Sequence, residues 1–157
     1  IETRVRSIDT FDGPLAEAFP PQSVAVRLAD DVDLGRGGLI VGIADAPAAW
    51  RELETTVCWL GDEPLRQGRR YWLHHTTRAV RAVAGSVGHR LDVATLDRDE
   101  TAIELGPNDI GRVRLRLSQP VFADTYAANR ATGSAILIDE ATNATVGAVL
   151  VESGAAE

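Results

Sequence analysis

Residues 112–117 constrain the fold more than any other stretch, because apolar and charged side chains alternate there without interruption. The order is Arg112, Val113, Arg114, Leu115, Arg116 and Leu117. A period of two predicts a β-strand with one buried and one solvated face. A second β-prone run, residues 135–138, ends at Asp139, and a polar connection, residues 124–133, joins the two. This connection is predicted to be either a binding site or a turn that bonds to its own backbone.

The rest of the chain repeats short β-prone runs between turn residues. We predict strands at residues 1–11, 24–29, 39–41, 53–60, 70–74, 79–87, 91–96, 103–105 and 145–151. Four side chains of the fourth run share one strand face: Leu53, Thr55, Val57 and Trp59. No segment has the apolar spacing of a long amphipathic helix. The pattern therefore predicts an all-β protein and leaves sandwich and barrel open.

Charge and composition narrow the class of partner. The formal net charge is −7, whereas nucleic acids and anionic membranes attract a surplus of cations. We therefore expect protein partners, no nucleic acid and no membrane.

Cys58 is the single cysteine, which excludes an internal disulfide and predicts a small buried strand residue. The chain lacks methionine and starts at Ile1, so it is expected to be a piece of a longer protein.

Motifs for catalysis, phosphate binding and metal ligation are absent from the sequence. Without any lysine, the GxxxxGK[ST] phosphate loop is excluded. Residues 85–88 do not complete the GxSxG serine motif. The acidic turn at residues 30–33 lacks the ligand spacing of a calcium loop and is predicted to be solvated. His74 and His75 point to opposite faces of a strand, so one is predicted to be packed or bonded and the other exposed.

Six short motifs, taken together, point to one family. They are Phe-Asp-Gly (11–13), Glu-Ala-Phe (17–19), Leu-Ala-Asp-Asp-Val-Asp-Leu-Gly-Arg-Gly (28–37), His-Thr-Thr-Arg (75–78), Asp-Ile-Gly-Arg-Val (109–113) and Asn-Arg-Ala-Thr-Gly-Ser (129–134). With them the chain resembles the large, GTP-binding subunit of bacterial sulfate adenylyltransferase, a relative of elongation factor Tu. The resemblance covers nearly the whole chain, and the motif at residues 129–133 is its most specific part.

The resemblance implies elongation factor Tu-like antiparallel β-barrels. In that family a GTPase domain precedes two barrels. Residues 1–44 would be the second half of the middle barrel, and residues 49–152 would be the complete C-terminal barrel. The nucleotide motifs would then lie upstream of Ile1, so GTP and magnesium are expected in the upstream domain and no cofactor or metal in this region.

The function implied by the resemblance is noncatalytic. The parent complex would be a cytoplasmic nucleotidyltransferase of sulfate assimilation, which forms adenylyl sulfate and pyrophosphate from ATP and sulfate. This region would dock the small catalytic subunit and relay the state of the GTPase domain. Some relatives carry a fused adenylyl-sulfate kinase domain, and residues 154–157 would begin a linker to one.

The polar connection supports an alternative of another class, a free-standing small-molecule-binding β-barrel enzyme that uses Tyr126, Asn129, Arg130 and Thr132 with a histidine. We favour an interface or structural loop, with no catalytic residue in the chain. Its candidate residues are Tyr126, Asn129, Arg130, Thr132, Gly133, His75 and Arg78. Asn and Thr side chains bond readily to nearby backbone in turns, and glycine permits a positive φ.

A partial barrel would lack the neighbours that close its sheet. Unpaired strand edges and exposed apolar faces favour association. The inward side chains of this part are predicted to be Val24, Val26, Leu28, Leu39 and Val41. We therefore expect the chain to self-associate through its N-terminal third, while residues 49–152 fold normally.

Overall fold

The computed structural model describes residues 1–156, and its regular structure is almost entirely β. The strands are β1 (Val5–Thr10), β2 (Gly13–Leu15), β3 (Ala25–Leu28), β4 (Ala48–Trp59), β5 (Leu65–Arg66), β6 (Arg70–His75), β7 (Arg78–Leu91), β8 (Arg98–Asp99), β9 (Glu104–Leu105), β10 (Ile110–Ala123), β11 (Ser134–Asp139) and β12 (Thr145–Ala155). One 3₁₀ turn covers Ile43–Asp45. None of the helical structure in residues 1–156 is long and apolar enough to cross a membrane. The all-β prediction is confirmed.

Six strands close into an antiparallel barrel. Their order is β10-β4-β12-β11-β6-β7, and β7 pairs again with β10. Leu115 of β10 shows the closure, because it lies opposite Leu53 in β4 on one side and opposite Ala84 in β7 on the other. Closure satisfies the backbone groups that an open sheet leaves unpaired at its edges. Of the two architectures that the sequence pattern allowed, the structure is therefore a barrel.

The alternating residues fill the barrel as predicted. On β4 the inward face consists of Leu53, Thr55, Val57 and Trp59, each at most 2% exposed. On β10, Val113 and Leu115 are fully buried. The one polar member of these faces is satisfied, since Thr55 Oγ1 donates to the carbonyl oxygen of Val113 at 2.7 Å. Burial of such apolar side chains contributes roughly 1.5–3 kcal/mol each.

The outward face of the same two strands carries ion pairs. Arg114 Nε lies 2.5 Å from Glu54 Oε1, and Arg116 Nε lies 3.2 Å from Glu52 Oε1. The residues of each pair are directly opposite each other in the register of β10 and β4. The arginines are more than half exposed, and solvated pairs of this kind are worth about 1 kcal/mol or less. They help to set the register of the strands, whereas the buried face supplies most of the stability.

The N-terminal residues form a separate small sheet in the order β2-β1-β3. Ile8 lies opposite Leu15 on one side and Val26 on the other. Strands β2 and β3 each have one edge without a strand partner among the described residues. Val26 is 39% and Val41 is 45% exposed. The interpretation of residues 1–44 as half of a barrel, and of residues 49–152 as a complete domain, stays a prediction.

Three local predictions were wrong. Residues 39–41 form no strand, and Ile40 is 53% exposed. Residues 91–96 are not a strand of their own: β7 continues to Leu91, and the side chain of Asp92 then accepts hydrogen bonds from the next turn. Cys58 lies on the outward face of β4 and is only partly buried.

Candidate functional site

The connection between β10 and β11, residues 124–133, is fastened to β12 by backbone hydrogen bonds. Tyr126 N donates to the carbonyl oxygen of Val151 at 2.7 Å. Val151 N donates to the carbonyl oxygen of Gly133 at 2.8 Å. One residue of β12 thus binds both halves of the connection, which we call the Asn-Arg loop. Because the loop is bonded to β12 near both of its ends, its backbone is fixed against the barrel.

His75, at the end of β6, anchors the Asn-Arg loop from inside the barrel. Its ring is 2% exposed, and Nε2 lies 2.6 Å from the carbonyl oxygen of Thr132. The carbonyl oxygen can only accept, so Nε2 carries the proton in this hydrogen bond. Thr132 Oγ1 in turn donates to Asp124 Oδ2 at 2.5 Å. The neighbouring His74 is exposed, which confirms the prediction of one bonded and one exposed histidine.

Gly133 closes the Asn-Arg loop at a position without room for a side chain. A Cβ atom there would lie 2.5 Å from both N and Cα of Tyr126 and 2.7 Å from the carbonyl oxygen of Asn129. These are backbone atoms, and Gly133 N donates to that same carbonyl oxygen at 2.7 Å. Close approach of the backbone, and not a positive φ as the sequence suggested, therefore explains the glycine.

Asn129 bonds within the loop itself. Its Oδ1 accepts a hydrogen bond from Ala131 N at 3.1 Å, and its side chain is exposed. This is the arrangement of an Asx turn, in which the side chain replaces a backbone acceptor. Ser134 Oγ donates to the carbonyl oxygen of Arg130 at 2.8 Å and closes the next turn.

The outer surface of the Asn-Arg loop presents an aromatic and a cation. The Arg130 guanidinium lies 5.7 Å from the centre of the Tyr126 ring. Arg130 is exposed and Tyr126 is partly exposed. Contacts of this kind contribute about 0.5–1 kcal/mol at exposed sites. Tyr and Arg are also the residue types most often found at the energetic centres of protein interfaces.

Six of the seven candidate residues belong to the Asn-Arg loop and its histidine anchor, but Arg78 makes its contacts elsewhere. Arg78 Nη2 donates to Gln119 Oε1 at 2.8 Å. Its aliphatic stem lies beneath Gly37, where an added Cβ would come within 3.2 Å of the arginine Cβ and Cγ. Arg78 lines a cavity of about 720 Å³ between the N-terminal segment and the barrel. The sequence motifs on both sides of this cavity were recognisable, but their proximity was not.

The titratable groups of the described residues form no catalytic or metal-binding arrangement. Among residues 1–156 there is no group of three or more His, Cys, Asp or Glu side chains that could hold a metal ion. Burial raises the pKa of the Tyr71 hydroxyl, although the nearby Arg69 lowers it. Tyr71 Oη is buried and has no hydrogen-bond partner among these residues. Hydrogen bonds from Thr142 and Ala141 lower the pKa of Asp139 in its turn.

Comparison with curated proteins finds similarity along nearly the whole chain. It is 50% identical over 150 residues to the bifunctional enzyme CysN/CysC of Mycobacterium tuberculosis, an alignment that covers 95% of this chain and 24% of that protein. It is 39% identical over 152 residues to sulfate adenylyltransferase subunit 1 of Shewanella woodyi, which covers 97% of this chain and 32% of that protein. The chain thus spans about a quarter to a third of the length of these relatives. The resemblance to the sulfate adenylyltransferase large subunit that the sequence motifs predicted is confirmed.

Comparison with solved structures supports the fold alone. The crystal structure of sup35 complexed with GDP superposes with a TM-score of 0.84 at 18% identity, covering 98% of this chain and 38% of that one. A profile of the family described as "GTP-eEF1A C-terminal domain-like" matches residues 52–152, which include most of β4 and the strands that close the barrel with it. The chain belongs to the GTP-eEF1A C-terminal domain-like family.

Proposed function

We propose that this chain is the noncatalytic β-barrel region of a sulfate adenylyltransferase large subunit, and that it docks the small catalytic subunit. The observation that carries the proposal is the 50% identity over 150 residues to the CysN/CysC enzyme, because it includes both the small N-terminal sheet and the barrel. The parent enzyme would form adenylyl sulfate and pyrophosphate from ATP and sulfate in the cytoplasm.

Nucleotide chemistry is assigned to the rest of the parent subunit. The described residues do not fit GTP with magnesium: the chain has no lysine for a phosphate loop, and residues 1–156 offer no cluster of metal-binding side chains. We therefore derive no catalytic step from this chain. Its part would be to transmit the state of the GTPase domain through a closed, rigid barrel.

The Asn-Arg loop is the surface that we propose for docking. Its inner side is occupied by bonds to His75 and Val151, which hold the backbone in place. Its outer side presents Tyr126 and Arg130, whose contact leaves the guanidinium exposed. A preorganised loop loses little conformational entropy on binding. The rival interpretation, a small-molecule enzyme built on this loop, has less support because Thr132 and Asn129 are already bonded to the protein itself.

The direct test is co-purification with the small subunit from the same organism. We expect the tagged chain to retain that subunit, and Arg130→Ala to weaken the complex by about tenfold or more if this arginine is a central contact. Arg98→Ala is the matched control, because Arg98 is also exposed and lies on the short strand β8.

The two parts of the proposal fail separately. If the chain retains no small subunit at all, docking by this region is wrong. If the wild-type chain binds but Arg130→Ala and Tyr126→Ala bind equally well, docking stands and the Asn-Arg loop is not the surface. Formation of adenylyl sulfate by the chain alone would contradict the noncatalytic assignment.

A further inference from the structure

A cavity of about 720 Å³ lies where the N-terminal segment meets the barrel. One wall is the glycine-rich segment 33–38. The other comprises His74 and residues 76–79 of the hairpin between β6 and β7, and two residues of β10, Gln119 and Phe122. The motif Asp-Leu-Gly-Arg-Gly thus faces the same space as Thr-Thr-Arg, residues 76–78, which is about 40 residues away in sequence. Its volume lies in the roughly 300–1,000 Å³ range of small-molecule sites.

Arg78 is held in position at this cavity. Gln119 Oε1 accepts one hydrogen bond from its guanidinium at 2.8 Å. Gly37, which is buried and has a φ of 93°, lies against the aliphatic stem. A guanidinium has five N–H donors, so a single hydrogen bond leaves others available. Because Arg78 is fixed before any ligand arrives, it would lose little conformational entropy on binding.

The other polar side chains of the cavity have no protein partner. Across residues 1–156, no hydrogen bond or ion pair is made by five polar side chains of the lining: Asp33, Arg36, His74, Thr76 and Thr77. Thr76 has a φ of 50°, as expected in the two-residue hairpin turn that joins the paired residues His75 and Arg78. All of these groups except Asp33 carry hydrogen-bond donors.

The charge of the lining is opposite to that of the molecule. Two arginines, Arg36 and Arg78, face the cavity with a single carboxylate, Asp33. With histidine neutral this gives a local charge of +1, in a chain whose net charge is −7. Guanidinium groups and hydroxyls are the side chains that bind phosphate and sulfate, through paired N–H donors and short charge-assisted hydrogen bonds.

We propose that this cavity binds the tetrahedral oxyanion of a small phosphorylated or sulfated molecule. Arg78, positioned by Gln119, and Arg36 bind the oxyanion from the two walls. The threonine hydroxyls of the turn supply further donors. The lining shares no residue with the Asn-Arg loop, residues 124–133, and the proposal does not depend on the docking proposed above.

The test is a titration of the isotope-labelled chain with inorganic sulfate and inorganic phosphate, followed by amide chemical shifts at constant ionic strength. Acetate is the third probe, because it has the charge of a carboxylate without the tetrahedral geometry. We expect saturable shifts confined to residues 35–38 and 76–79, with sulfate or phosphate binding more tightly than acetate. Whichever of the two binds more tightly indicates a sulfated or a phosphorylated molecule.

Substitutions assign the shifts to the cavity. Arg36→Ala and Arg78→Ala are each expected to weaken the affinity by about tenfold, the effect of losing one charged hydrogen bond. Gln119→Ala is expected to weaken it less, since it changes only the position of Arg78. Arg98→Ala, far from the lining, is expected to leave it unchanged. Arg36 is exposed, so its variant remains informative even if replacing Arg78 disturbs folding.

Three results would overturn the proposal. One is the absence of saturable shifts with either tetrahedral anion. Another is equal binding of acetate, which would indicate a carboxylate-bearing partner instead. The third is an equal loss of affinity in Arg36→Ala and Arg98→Ala, which would indicate general charge attraction without a site.

Discussion

The ring of His75 reaches across from the end of β6 to the Asn-Arg loop, and its Nε2 lies 2.6 Å from the carbonyl oxygen of Thr132. The His75 ring is buried and Thr132 is partly buried, so leaving the carbonyl oxygen without a donor would cost stability. The contact joins residues 57 positions apart in sequence. The loop therefore depends on the barrel for its conformation, and its backbone is held whether or not a partner is bound.

Replacing His75 by Ala is expected to lower the free energy of unfolding by about 2–4 kcal/mol, since it leaves a cavity and an unpaired carbonyl oxygen. Urea denaturation followed by tryptophan fluorescence measures the change. His74→Ala is the matched control, because this neighbour is exposed, and we expect it to stay within about 0.5 kcal/mol of wild type. Equal stability of the two variants would contradict the role assigned to His75.

Gly133→Ala is expected to destabilise the chain by about 2 kcal/mol or more. The added Cβ would collide with backbone atoms of Tyr126 at 2.5 Å, and backbone can relieve such a collision only by moving the loop. Gly35→Ala is the control, because nothing lies within 4 Å of its Cβ position. Thermal unfolding of the two variants gives the comparison, and a Gly133→Ala protein as stable as Gly35→Ala would refute the close packing.

The strand faces were predictable from the sequence because a period of two fixes which side chains share a side of a sheet. This holds for Leu53, Thr55, Val57 and Trp59 on β4 and for Val113, Leu115 and Leu117 on β10, all of which are buried. The pairing of β7 with β10 was not predictable, since hydrogen bonds between distant strands have no local signature. Gly85 marks that contact: its Cβ position is 3.0 Å from the carbonyl oxygen of Arg114.

Errors arose where local pattern and tertiary environment disagree. Residues 39–41 have the β-propensity of a strand, but in the described structure they pair with no strand. The residues of the Asn-Arg loop could be grouped from the sequence because Asn, Thr and Gly are turn formers, and their role as an interface or structural loop stays a prediction. Their anchoring by His75 and Val151 was not visible, since it depends on barrel closure.

Asn129→Ala is expected to cost about 1 kcal/mol or less. The sequence suggested roughly 1–3 kcal/mol on the condition that the amide is buried, but the side chain is exposed and accepts one hydrogen bond, from Ala131 N at 3.1 Å. Water can replace that bond. Urea denaturation checks the value, and a loss above about 2 kcal/mol would mean that the amide has further partners.

The turn after β11 gives a pH-dependent contribution to stability. Hydrogen bonds from Thr142 and Ala141 lower the pKa of Asp139 below its ordinary value of 3.8. Ionised Asp139 therefore stabilises the folded chain fully at any pH above the ordinary pKa. This stabilisation is lost as the pH falls through the lower pKa of Asp139 in the folded state. We therefore expect the stability difference between wild type and Asp139→Ala to be constant near neutral pH and to narrow below about pH 4. A difference that does not change with pH would refute the assignment.

The open edges of the N-terminal sheet predict self-association. Strands β2 and β3 each lack a partner on one side within the described residues, and apolar side chains around them are exposed, including Val5 at 51% and Ile40 at 53%. Edge strands next to apolar surface pair readily with another chain. We expect sedimentation to show a concentration-dependent dimer or larger species for the whole chain. A version beginning near Ala49 should be monomeric, because β4 and the other barrel strands have closed edges.

Ile40→Glu in the whole chain should weaken the association, since it places a charge on the apolar surface. A whole chain that stays monomeric at high concentration would refute the prediction.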